Sequence, residues 1–156
     1  MTSQTCTRRN IIGVAAALLP MPIAIRGALA AQTLPPVEAF RNPGCGCCEQ
    51  WAERMRQAGF SVTMSDDPEL AQRREKLGVP VDVAGCHTAR VGDYIVEGHV
   101  PPKDVLRLLE EKPVARGLSV PGMPVGSPGM ESANTSESYN VLIFAADGST
   151  KVFTSY

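Results

Sequence analysis

Between Val37 and Lys112 the spacing of apolar side chains alternates between a period near two and a period near 3.6, and turn-forming residues mark each change. Val37 to Arg41 predicts a short strand, broken by Asn42-Pro43-Gly44. From Cys47 to Ala58, the apolar Cys48, Trp51, Ala52 and Met55 share one helical face, Glu49, Glu53, Arg54 and Arg56 the other, and Gly59 supplies a stop. Phe60, Val62 and Met64 alternate as a strand, and Asp66-Asp67-Pro68-Glu69 caps a second helix. That helix runs to Leu77, with Arg73, Arg74 and Lys76 at its negative end and Gly78 after it. Past Val79-Pro80 and Cys86-His87, Thr88 to Val91 and Tyr94 to Glu97 are strands joined by Gly92-Asp93. Pro102 opens a third helix, with Val105, Leu106, Leu108 and Leu109 apolar, which ends before Pro113.

This order, strand, helix, strand, helix, strand, strand, helix, with a right-handed first crossover, predicts an α/β, thioredoxin-like fold with helices on both sides of a small sheet. From 113 to 138 no period survives, and Pro113, Pro121, Pro124 and Pro128 fall among glycines and serines. A structureless stretch of about 25 residues inside a compact domain is expected to be functional or disordered. Asn140 to Ala145 and Lys151 to Thr154 then flank Asp147-Gly148 and predict a terminal β-hairpin. The expected organisation is therefore a domain over 37–112 and a loop-and-hairpin extension over 113–156 packed on it.

The first thirty residues follow a different logic. Arg8-Arg9, the apolar run Ile11 to Ile25 and Ala28-Leu29-Ala30 have the n-region, h-region and cleavage site of an export signal. The run is broken by Pro20 and Pro22 and is shorter than the roughly 20 residues a spanning helix needs. Thr7-Arg8-Arg9-Asn10-Ile11-Ile12 is similar to a twin-arginine signal, an ordinary secretory signal being the alternative. The expectation is export to the periplasm, with 1–30 removed, 31–36 a linker, and no stable membrane span afterwards. The 156-residue chain carries 15 basic and 16 acidic residues; cleavage removes three arginines and no acid, leaving 12 against 16, a net of −4. Such a balance argues against nucleic acid as a partner. Cleavage also removes Cys6, so the mature cysteines are Cys45, Cys47, Cys48 and Cys86.

Cys45-Gly46-Cys47-Cys48 lies between the first predicted strand and helix, where free backbone N–H groups and the helix dipole favour thiolates. Cys45 and Cys48 have the C-x-x-C spacing of redox sites. The interposed Cys47 is superfluous for a dithiol and invites scrambled pairings, so the triplet suits a metal better. A framework in which Cys45 bonds Cys48 and another thiol bonds Cys86 is the structural alternative, but pairing within the triplet would close only a trivially short loop, and a domain of this size can bury enough surface without staples.

In the predicted topology the loop before the third strand faces the first helix, bringing Cys86 and His87 towards the triplet. An inert core thiol and a satisfied histidine are the alternatives there. His99, at a strand end, is a weaker candidate. Met123 and Met130, in the repeated Pro-Gly-Met of the aperiodic stretch, offer thioethers that either plug apolar gaps or bind a soft ion. Zn(II) would need a strained set from adjacent Cys47 and Cys48, and iron–sulfur clusters favour wider spacing. Cu(I), bound by two or three soft ligands and able to share bridging thiolates, is the expected metal.

The segments Cys45-Gly46-Cys47-Cys48 with Trp51, Gly78-Val79-Pro80, Cys86-His87-Thr88-Ala89, Gly98-His99-Val100-Pro101 and the run from Val120 to Glu131 together resemble the CopG-like copper-resistance family. The resemblance covers roughly 36–155. It implies a periplasmic thioredoxin-like protein whose C-terminal extension lies near the site and which holds copper through Cys45, Cys47, Cys48 and Cys86. His87, Met123 and Met130 extend that site on chemical grounds alone. The expected function is copper binding in copper tolerance, with copper ions and periplasmic copper-handling proteins as partners. The alternative is a thiol–disulfide or copper oxidoreductase built from the same cysteines.

Overall fold

The computed structural model describes residues 33–156, together with Thr2. The signal-peptide reading, its cleavage site and Cys6 lie outside the described residues. The described chain is mixed α/β: strands β1 (Val37–Arg41), β2 (Val62–Asp66), β3 (His87–Val91), β4 (Tyr94–Glu97), β5 (Gly117–Ser119), β6 (Asn140–Phe144) and β7 (Thr150–Ser155), with helices α1 (Gly46–Gln57), α2 (Leu70–Leu77) and α3 (Pro102–Glu111). One sheet runs in the order β2-β1-β3-β4-β5-β6-β7. The β1–β2 and β4–β5 pairs are parallel, the others antiparallel.

Alternation along the strands separates two apolar layers. Ala89 and Val91 of β3, Val96 of β4 and Val141 of β6 meet Trp51, Ala52 and Met55 of α1 and Val105 and Leu108 of α3. On the opposite face, Ile95 and Phe144 meet Val79 and Val83, with Leu77 and Leu142 beside them. The buried residues of α1 are Cys48, Trp51, Ala52 and Met55, the face that the sequence spacing predicts.

Three expectations need correction. The aperiodic stretch contains β5, whose three residues are too few to show a period, yet all are buried and pair β4 to β6. The terminal hairpin therefore continues the main sheet. β2 begins at Val62, because the Phe60 N–H is turned back to Met55 O (3.1 Å) while Val62 pairs with Val37. α2 begins at Leu70, past Pro68: Asp67 Oδ1 accepts the Glu69 N–H (3.0 Å) in a turn that precedes the helix.

Candidate metal centre

Cys45 stands at the N-cap of α1 in an extended conformation, so Cys47 and Cys48 fall in the first helical turn. The carbonyl of Cys45 accepts from Arg41 Nη1 (3.0 Å), and the same guanidinium pairs with Asp66 at 2.8 Å and Glu49 at 3.2 Å. Arg41 thus ties the ends of β1 and β2 to the cysteine turn.

Cys86 approaches from the loop before β3. Its Sγ lies 3.2 Å from that of Cys45, 3.4 Å from that of Cys47 and 3.4 Å from that of Cys48. Cys45 and Cys48 are joined by a disulfide; Cys47 and Cys86 are free thiols. All four sulfurs lie within 4.8 Å of one another. The adjacent Cys47 and Cys48, both in the first turn, thus each reach Cys86. Burial, followed by the Cys47 thiol, pushes the Cys86 thiol up to about 12, and Arg74 opposes this. At neutral pH Cys86 therefore keeps its proton until a metal or a reaction removes it.

A part-buried ion pair that sequence reasoning missed sets the position of Cys86. Glu97, fully buried at the end of β4, accepts from Arg74 Nε at 2.7 Å, from Gly85 N at 2.8 Å and from the Thr88 hydroxyl at 2.6 Å. Arg74 Nη2 in turn donates to Gly85 O at 2.7 Å. Both backbone groups of the residue preceding Cys86 are thereby held. Burial raises the Glu97 carboxyl above its ordinary range, with Arg74, Thr88 and Gly85 pulling the other way. Arg74 read in the sequence as a helix-end charge. The available signal was Glu97 itself, an acid closing the otherwise apolar Tyr94-Ile95-Val96.

His87 is fully buried on the α1 face of the sheet, with Trp51 at 4.2 Å between ring centroids and His99 edge-on at 5.1 Å. Burial, then His99 and Arg74, hold its pKa well below the ordinary imidazole range. His99 is also buried, which lowers its pKa against the pull of Pro128 O and Glu131. Gly98 brings His99 back towards the site: its φ of +70° is open to glycine, and a side chain there would strike Val120 O at 2.5 Å.

The Pro/Gly stretch lies on the first turn of α1. At Gly129 (φ +87°) an added Cβ would stand 2.6 Å from Trp51 N and 2.8 Å from Cys47 O. Glu131 fastens the contact by accepting from Arg54 Nε and from Gly129 N, each at 2.8 Å. Within the stretch Met130 is half-buried and Met123 is 54% exposed.

Residues 83–130 match a family model described as protein of unknown function, DUF411. Two solved structures are similar over nearly their whole length. Form 2 of copper resistance protein CopG is 37% identical with a TM-score of 0.75, the match covering 80% of this chain and 99% of that one. Form 1 is 37% identical with a TM-score of 0.74, covering 78% and 98%. No curated protein matches the chain.

Proposed function

The chain belongs to the family of copper resistance protein CopG, and from that premise we propose that it is a periplasmic copper-binding protein of copper tolerance, holding Cu(I) on the thiolates of Cys45, Cys47, Cys48 and Cys86. The observation that carries this reading is the convergence of four sulfurs, from two separate segments, within 4.8 Å. Soft thiolates that close to one another suit Cu(I), which accepts low coordination and bridging sulfur. His87, Met123 and Met130 complete the proposed ligand set, and the stretch docked on α1 by Gly129 shields the thiolates from oxidation. A thioredoxin-like arrangement fits the parallel β1–β2 pair connected through α1, with the C-x-C-C at the helix N-terminus. Periplasmic export rests on the arginine pair and apolar run of residues 1–30. A twin-arginine route would carry the protein folded.

Copper in this scheme is cargo, and the Cys45–Cys48 bond controls how many thiolates meet it. Two electrons and two protons, delivered by a dithiol that is itself oxidised to a disulfide, convert that bond into two further thiols. The same bond supports a second reading. Cys86 Sγ, 3.2 Å from Cys45 Sγ, is within reach of that bond, which supports the alternative of a thiol–disulfide or copper oxidoreductase.

Anaerobic titration of the reduced mature protein with copper separates the two. The expected outcome is retention of more than one copper per chain, reduced on Cys47→Ser. Failure to retain copper overturns the proposal. Rapid reduction of a disulfide substrate by copper-free protein, dependent on Cys45 and Cys48 but indifferent to Cys47→Ser, favours the oxidoreductase.

A further inference from the structure

The segment from Pro121 to Ser138 spends most of its hydrogen bonds on itself. The Glu137 N–H donates to Val125 O at 2.8 Å, and the Val125 N–H donates back to Glu137 Oε2 at 2.8 Å, so residues 125–137 close on themselves as a compact Ω-loop. Inside it the Gly126 N–H reaches Met130 O at 2.9 Å, the Met130 N–H reaches Ser127 O at 2.8 Å, and the Gly129 N–H reaches Glu131 Oε2 at 2.8 Å. Ser127 is the one buried residue of the segment, and its N–H and hydroxyl both donate to Pro124 O.

Outward bonds are sparse by comparison. Among the described residues, the loop is tied to the rest of the chain where His99 Nδ1 donates to Pro128 O at 2.8 Å and Arg54 Nε donates to Glu131 Oε1 at 2.8 Å. Gly129 adds the close seat on Trp51 N and Cys47 O. The Arg54–Glu131 pair is open to water, its side chains 44% and 45% exposed, so salt screens it. The flanks are built to bend. Gly122 is exposed with φ +70°, a Cβ there would touch nothing, and its N–H makes only a long bond to Ala84 O (3.3 Å). On the other side Glu131 to Ser138 are all exposed. Such positions absorb a backbone rotation without disturbing packing.

We propose that residues 125–137 are a lid that swings as one piece about Gly122 and Ser138, with the Arg54–Glu131 pair as its latch. Closed, the lid sits on the backbone of Cys47 and on the ring of His99. Open, it uncovers the first turn of α1 and gives copper, or the group that delivers it, a way to Cys47. The loop's internal bonds persist in both states, so opening breaks only the contacts with α1 and His99. What passes the lid rests on the proposed function; the motion does not.

The test uses reduced, copper-free protein and iodoacetamide, a neutral probe whose own approach is insensitive to salt. Alkylation of Cys47, assigned by fragment-ion mass spectrometry, should be about two- to fivefold faster in Arg54→Gln than in wild type at low salt. Wild type should gain a similar factor between about 0.02 M and about 0.5 M salt, and Arg54→Gln should stay flat. Glu131→Gln should behave as Arg54→Gln does. Hydrogen exchange at Gly126, Met130 and Glu137 should be equal in all three proteins. Equal alkylation at both salts in every protein overturns the latch. Faster exchange at those amides in the variants overturns the single-piece swing, because the loop would then be melting. In protein loaded with Cu(I), Arg54→Gln should release copper to a chelator faster by the same factor. Failure of wild type to retain copper overturns the proposed function, while alkylation and exchange still decide the lid.

Discussion

Cys86 is the residue on which the candidate site depends, since its sulfur is the one that touches all three cysteines of the turn. Its raised pKa has a direct consequence for reactivity. In copper-free protein, alkylation of Cys86 by iodoacetamide should be slow at pH 8 and climb about tenfold per pH unit through pH 10 without a plateau, whereas an ordinary thiol levels off above about 8.5. Peptide mass spectrometry separates it from Cys47; a plateau near pH 8.5 would contradict the assigned burial. Glu97 acts one step behind. Glu97→Ala removes the acceptor from the half-buried Arg74 guanidinium and Gly85 N–H, so it should destabilise the copper-free protein by about 1–3 kcal/mol in denaturant melts. It should also lower the copper count, because Gly85 loses one of its two anchors. Neither consequence was legible in the sequence. The cysteine spacing is a local pattern, but the Arg74–Glu97 pair joins residues on different elements.

At the scale of elements, the fit between the Pro/Gly stretch and α1 is the feature most open to a single substitution. Gly129→Ala adds a methyl group where Trp51 N and Cys47 O leave no room, in a conformation that favours glycine. It should cost about 1–3 kcal/mol and lift the stretch from the helix. Thiols of the reduced variant should then oxidise faster in air than those of wild type, measured by thiol titration over time. Equal rates would show that the stretch gives no protection. Strands β1 and β4 and the buried face of α1 follow from the sequence because four to twelve residues carry a readable period. β5 has three residues in a proline-rich stretch and does not. Its identity as a strand comes from its neighbours, β4 on one side and β6 on the other.

Across the whole molecule, α3 joins the terminal hairpin to the rest of the sheet. Asp104, 3% exposed, accepts from the Thr154 hydroxyl at 2.9 Å and the Tyr156 hydroxyl at 2.6 Å. Arg107 stacks 3.6 Å above the Phe153 ring and donates to Phe153 O. Asp104→Ala should lose about 1–3 kcal/mol. In hydrogen exchange, amides of β7 should quicken well before those of β1 to β4; uniform acceleration would mean the sheet opens as one unit. The sequence by itself determined the C-x-C-C turn at a helix start, the apolar faces, the family resemblance and the presence of a fourth cysteine. These are properties of neighbours along the chain, where period and spacing translate directly into position. Only the tertiary structure decided that Cys86 meets three sulfurs, that Arg74 and Glu97 hold Gly85, and that the buried rings of His87 and His99 lie edge to face. Those facts depend on which strands lie side by side and which faces are covered, and residues 41 positions apart carry no local sign that their sulfurs will touch.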